Sequence, residues 1–295
     1  MARSRSTAAG TAPDWRQAGD ALAAEVDRVT ALLRSVRDPG APALGQWNVA
    51  EVAMHLSQTW IVVPGLAADD LSDAYRLLPD LETRAGAALL DDVWDLRQVT
   101  IAGVQGDLER DTNVLADRID QRTGAFLAAV DTASVGQSHT WLVDGVNVTT
   151  LTLMMHLLNE TIVHGFDMAR ADGRGWPISR PHAAMVLDGF VVPVLARLKP
   201  RAVVDQHAAA GLHATYEIRF RGGGHHQFSY DQGALLIQPA GSRHVDCYIS
   251  ADPAVFLLVA WGRRNQWPAI ARGQITAWGP KPWLGPRFRS LMRNL

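Results

Sequence analysis

The chain has 295 residues, 47% hydrophobic and 20% charged, a size and balance that fit a soluble globular protein of two domains. Its formal net charge is −2, so the composition as a whole gives nucleic acid or an anionic membrane surface nothing to hold. The single cysteine, Cys247, excludes an intrachain disulfide and fits a reducing cytoplasm, and the ten tryptophans point mainly to core packing, with an aromatic-lined pocket as their other use.

Residues 1–12, "MARSRSTAAGTA", are basic, small and polar and lack the apolar run of a signal peptide, so they read as a disordered leader. A first helix follows, with Leu22, Val26, Val29 and Leu33 on one face. Gly40 and Pro42 then mark a loop. "WNVAEVAMHLSQTW" begins a second helix: Asn48 takes the N-cap, Glu51 stands three residues later, and Val49, Val52, Ala53, Leu56 and Trp60 form its apolar stripe. Apolar residues from Leu90 to Leu127 recur at helical spacing through a segment from about Thr83 to Ala133, interrupted around "GDLERDTN". "VDGVNVTT" reads as a turn before a fourth helix that stops near Gly173. Four such helices joined by loops predict an antiparallel bundle over residues 13–200.

The pattern changes near Pro200, and residues 201–295 read as a smaller α+β domain. "ATYEIRFRGGGHHQFSYDQGALLIQPA" alternates about a triple-glycine turn, which predicts a hairpin. "HVDCYISAD" is a further strand, with Val245, Cys247 and Ile249 on one face. "DPAVFLLVAWGRR" is a helix with Asp252 as N-cap and Pro253 at its first position. "RGQITAWG" reads as a strand and "GPRFRSLMRNL" as a terminal helix. No stretch reaches the ~18 uninterrupted apolar residues of a membrane span. The nearest, Ala183 to Leu198, is broken by Asp188 and Pro193.

The chemistry concentrates in "HLLNETIVHGFDMARADG", His156 to Gly173. Glu160 and His164 lie about 40° apart around the helix and one turn apart along it, so their side chains can reach one point. The helix is apolar nearly all round, which predicts burial, and an unpaired buried carboxylate is costly. Taken alone, the pair reads more readily as a carboxylate and imidazole neutralising each other than as metal ligands. His55, beside the apolar stripe of the second helix, shifts that balance. Two histidines and a carboxylate from facing helices make a three-ligand set with open positions, the composition of catalytic zinc sites. Asp167 is placed to orient an imidazole from behind. His156 lies ~12 Å of helix rise from His164 and reads as pocket wall rather than ligand.

"QWNVAEVAMHL" resembles the second-helix signature of the mycothiol-dependent maleylpyruvate isomerase-like family. "NETIVHGFDMARADGRGWPI" is similar to that family's fourth-helix segment. The resemblance implies a DinB-like four-helix bundle in which His55, Glu160 and His164 hold a divalent metal, zinc being the first expectation, with mycothiol as co-substrate. "ISADPAVFLLVAWGRR" and "ARGQITAWG" resemble the SCP2-like domain that often follows such a bundle. The fold expected is therefore multidomain: an all-α DinB-like bundle, then a small α+β SCP2-like domain.

The function implied is that of an isomerase or S-transferase joining a small-molecule thiol to a small electrophile. An apolar-ligand-binding protein with a structural metal and a metal-assisted hydrolase are the alternatives, the hydrolase needing His156 or Asp167 as base. Arg263, Arg264 and Arg272 are candidates to hold an anionic group of the thiol or substrate, or simply surface charges. "GGGHH" is read as a hairpin turn rather than a metal site, and Asp91–Asp92 as a solvated helix face. No nucleotide-binding glycine loop, G-x-S-x-G or C-x-x-C motif is present in the sequence.

Overall fold

The computed structural model describes residues 14–77, 93–143, 145–241 and 244–293. The expected leader, the start of the long helical segment from Thr83 and the Asp91–Asp92 pair lie outside the described residues. Contacts divide the chain into two compact units, one spanning Asp14–Ile178 and the other running from Ser179 onward. Among the described residues no helix is long and apolar enough to cross a membrane.

The first unit contains α1 (Trp15–Leu33), α2 (Val49–Ala67), α3 (Ser72–Leu77), α4 (Val93–Gly106), α5 (Thr112–Ala129) and α6 (Thr150–Ala171). Four long helices form its body: α6 packs on α1 and α2, and α5 packs on the same two. Leu22, Met54, Leu56, Trp60, Leu115 and Leu153 are fully buried between them, so the stripes legible in the sequence are the faces turned inward. Both bonds of the Asn48–Glu51 capping box are made, each at 2.9 Å. The break inside the long helical segment falls at residues 107–111, where the Asp107, Glu109 and Asp111 side chains accept backbone N–H groups.

Two short hairpins are features that sequence reading did not find. The segment read only as a turn before the fourth helix contains a strand: β4 (Asn147–Thr149) pairs antiparallel with β3 (Ser138–Thr140), and Gly145 turns at φ +72°. A smaller pair, β1 (Pro42–Leu44) with β2 (Trp47–Asn48), turns at Gly45 with φ +57°. Strands of two or three residues are too short to show alternation. They matter because β2 ends in the N-cap of α2, and β4 ends in Thr149, the N-cap of α6.

The second unit opens with α7 (Arg180–Val186), which continues through a π-helical turn, Leu187–Val191, into α8 (Val192–Leu195). A single turn, α9 (Pro200–Val203), follows. The sequence reading puts residues 179–200, and so α7 and α8, with the bundle; the contacts divide the chain at Ser179 instead. A five-stranded sheet follows in the order β7-β6-β5-β8-β9: β5 His213–Phe220, β6 His225–Asp231, β7 Ala234–Pro239, β8 Cys247–Ala251 and β9 Ile275–Trp278. The triple-glycine turn joins β5 to β6, with Arg219 opposite His225. Only β5 and β8 pair in parallel within this sheet. Asp252 caps α10 (Pro253–Ala260), and α11 (Gln266–Ala271) precedes β9. The terminal helix expected from "GPRFRSLMRNL" is cut short. Residues Pro282–Arg287 form a 3-10 turn, and α12 is only Phe288–Leu291. Pro286 has no N–H to give an α-helical ladder, which limits the run.

Candidate metal centre

His55 sits in the second turn of α2, and Glu160 and His164 follow one another on α6. Their side chains are 16%, 13% and 9% exposed, buried enough to be held but still reached by solvent. Although 105 residues separate them, His55 Nε2 is 3.3 Å from Glu160 Oε2. His164 Nε2 is 3.2 Å from the same oxygen. The two imidazole rings lie edge to face, 4.8 Å between centroids. One donor atom from each residue falls within 4.8 Å of the other two.

Donors around a tetrahedral zinc, at bond lengths near 2.0–2.1 Å, stand about 3.4 Å apart. Glu160 Oε2 therefore already has the required spacing from both nitrogens. The two imidazole nitrogens lie within 4.8 Å of each other, so the remaining edge is up to about 1.4 Å longer than that spacing. The donor chemistry fits as well, since two imidazoles and one carboxylate leave room for a further ligand.

Neighbouring groups settle which atoms face the centre. Asp167, fully buried, has Oδ2 3.2 Å from His164 Nδ1, which leaves Nε2 as the nitrogen presented to Glu160. Asn159 Nδ2 donates to Glu160 Oε1 at 3.0 Å, so Oε2 is the oxygen presented to the histidines. His156 is not remote from this chemistry: its Nε2 is 3.7 Å from Glu160 Oε1, on the far side of the carboxylate. Trp47 lies 5.5 Å from the His55 ring and Trp141 5.8 Å from the His156 ring.

The electrostatics follow from this packing. Burial works against ionised Glu160, but hydrogen bonds from His164 and His55 outweigh it and hold the carboxyl well below its usual range. Burial likewise disfavours charged His164, yet the bonds to Asp167 and Glu160 prevail and raise it to about 9. For His156 burial prevails and lowers it to about 4, the Glu160 charge opposing that only in part.

Sequence reading did not find Asn159, Trp47 or Trp141, and left Gly165 and Trp176 as unexplained letters of a motif. A Cβ on Gly165 would stand 2.6 Å from Trp176 Cζ2, so only glycine lets that indole lie against α6 beside His164. The Arg28 guanidinium lies over the Trp176 ring, 4.3 Å from its centroid. Arg28 is in turn held by buried Glu25 at 2.6 Å and donates to the Pro177 carbonyl. A one-letter alternation pattern contains none of this, because the contact joins a helix to a loop that doubles back on it.

Arg263, Arg264 and Arg272 belong to the second unit. Arg263 is half-buried and bonds the Trp261 carbonyl; Arg264 and Arg272 are exposed on either side of α11. In the triple-glycine turn, Asp188 accepts from Gly224 N at 2.6 Å and lies 2.7 Å from His226 Nε2, so "GGGHH" is a turn tied down by a carboxylate.

No protein-family model and no curated protein matches the sequence. Among solved structures, the chain is similar to the mycothiol-dependent maleylpyruvate isomerase, at 11% identity and TM-score 0.47, over 92% of this chain and 96% of that one. A histidine-to-alanine mutant of that isomerase gives TM-score 0.49 at the same identity and coverage. A similarity with TM-score 0.31 and 16% identity links 50% of this chain to 25% of a stereoselective inverting sec-alkylsulfatase from Pseudomonas sp..

Proposed function

We propose that His55, Glu160 and His164 hold a divalent metal, zinc in the first instance, and that the protein is a mycothiol-dependent isomerase or S-transferase acting on a small electrophile. One observation carries the metal assignment: two imidazole nitrogens from different helices converge on a single carboxylate oxygen at tetrahedral spacing. A buried ion pair would need only one imidazole. The second imidazole, with Asp167 behind His164 and Asn159 behind Glu160, is what a metal centre with oriented ligands requires. The choice of thiol and reaction class rests on the two motifs, residues 46–56 and 159–178, that resemble the maleylpyruvate isomerase-like family.

When bound, a divalent metal favours the thiolate form of a thiol at neutral pH and so supplies a nucleophile. The chain's own residues prepare the site for it. Asp167 fixes the His164 tautomer, Asn159 fixes the carboxylate, and the Trp47 and Trp141 rings flank His55 and His156. His156, kept neutral at physiological pH by burial, lines the site beside Glu160. The protein does not furnish the thiol itself. Cys247 is fully buried in the second unit, and burial pushes its thiol up to about 11. A thiolate adding to an activated cis double bond leaves a single bond about which the substrate rotates, and its expulsion gives the trans isomer. Attack without expulsion gives an S-conjugate.

Elemental analysis tests the centre directly. Purified protein should carry about one divalent metal per chain, falling toward none in His55→Ala and in Glu160→Ala. Variants with wild-type metal content would remove the assignment. The loaded protein is then assayed with mycothiol and either maleylpyruvate or a panel of electrophiles.

A second reading has one observation in its favour. The second unit contains a partly open apolar cavity of about 70 Å³, lined by Leu187, Val191, Phe228, Ile249, Phe256 and Phe288 among others. That space suits at most a small apolar group, with the metal then serving only the bundle's stability. Retention of a small hydrocarbon probe by wild-type protein, with no thiol-dependent turnover of any electrophile, would favour it.

A further inference from the structure

The net charge of −2 conceals a segregation. All 30 acidic residues lie at or before Asp252, while the 43 residues after it hold seven lysines or arginines and four of the ten tryptophans. Three of those tryptophans are displayed at the surface: Trp267 at 58% exposure, Trp283 at 65% and Trp278 at 40%. They come from consecutive elements, α11, the sheet-edge strand β9 and the 3-10 turn after it. Proline punctuates the same run at 268, 280 and 282, which stiffens the loops that carry them. Arg264 and Arg272 bracket α11, Arg287 closes the 3-10 turn, and all three are exposed. Trp278 is stacked on Tyr248 at 5.6 Å, with the Arg219 guanidinium over both rings, so its indole is braced rather than free to fold away. Large indoles in this number are seldom left in water beside exposed arginines.

We propose that this edge of the second unit docks on an anionic phospholipid surface. Indoles settle at the headgroup level of a bilayer, where an apolar ring and a polar N–H are both accommodated, and arginines beside them meet the lipid phosphates. Nucleic acid also takes aromatic rings and arginines, but binds through a longer track of phosphate contacts than three exposed arginines offer. The same elements favour lipid for another reason. Gln266, Ile275, Gly285 and Arg293, drawn from the segment that displays the tryptophans, also help wall the apolar cavity. This inference is independent of the metal centre, and either can fail without the other.

The test uses the 295-residue protein as purified and sedimentation with vesicles of phosphatidylglycerol and phosphatidylcholine, or of phosphatidylcholine alone. Wild type partitions onto the mixed vesicles, stays in solution with neutral ones and is released by high salt. Losing each arginine charge weakens partitioning about fivefold, so the double variant Arg264→Glu, Arg272→Glu falls by more than about twentyfold. The double variant Trp267→Ala, Trp283→Ala falls roughly tenfold or more and keeps its salt dependence. Both pairs are exposed, and circular dichroism and the thermal midpoint report that each variant is folded. No sedimentation of wild type with the mixed vesicles overturns the proposal, as does equal binding to neutral vesicles. Tryptophan and arginine variants that bind like wild type also overturn it, and so does tight binding to an oligonucleotide with none to vesicles.

Discussion

Metal uptake by this protein should expel one proton, and its source should be His164. In the metal-free chain His164 lies between Asp167 and Glu160, with its pKa raised to about 9. At pH 7 it is therefore protonated in almost every molecule, while a ligand imidazole must have its Nε2 lone pair free. The two pH units between 7 and 9 lower the apparent metal affinity at pH 7 roughly a hundredfold relative to pH above 9. His156 adds nothing, since burial keeps it neutral with a pKa of about 4. Calorimetric titration of the stripped protein in buffers of different ionisation enthalpy should give about one proton released per metal at pH 7. The apparent affinity should rise about tenfold per pH unit up to 9. Asp167→Asn removes one of the charges that raise His164, so proton release at pH 7 shrinks while metal affinity itself falls about 10- to 100-fold. The linkage also has a sign in stability. A raised pKa stabilises the metal-free fold most fully below about 6.5, and that contribution fades as pH climbs toward 9. The metal-loaded protein should not show this decline. Metal binding with no proton release and a flat affinity profile would refute the arrangement of His164 between two carboxylates.

Two further outcomes follow from packing. Gly165→Ala drives a methyl into the Trp176 indole, an overpacking worth about 1–3 kcal/mol, read as a thermal midpoint lower by several degrees. Removing the obstructing ring as well, in Gly165→Ala with Trp176→Ala, should give a loss smaller than the sum of the two single variants, and strict additivity would count against the contact. Cys247, buried and with its thiol pushed up to about 11, should react with a disulfide reagent far more slowly in native protein than in denatured protein. Cys247→Ser should leave thiol-dependent turnover intact; loss of turnover with the fold preserved would place the nucleophile in the protein after all.

The main helices were legible in the sequence because each carries a local signal. The Leu22–Leu33 face, the Asn48–Glu51 box and the four-residue step from Glu160 to His164 need only the period of a helix and the chemistry of its ends. Elements shorter than one period were not legible. The hairpins at 42–48 and 138–149 were missed, and the terminal helix was overestimated because the proline inside it was outvoted by its apolar residues. The charge asymmetry after Asp252 was in the sequence throughout, averaged away by a net charge taken over the whole chain.

By itself, then, the sequence determined which residues share a helix face and which helices have a buried side, since both follow from spacing along one chain. It could not determine that His55 and Glu160, 105 residues apart, meet at 3.3 Å, or that Asn159 holds the other carboxylate oxygen. Nor could it set Trp176 against Gly165, or leave Trp267 and Trp283 in water while Trp60 is fully enclosed. Those outcomes depend on how one helix packs on the next. A side chain's partners, its burial and therefore its charge state become properties of that residue only when the helices have packed.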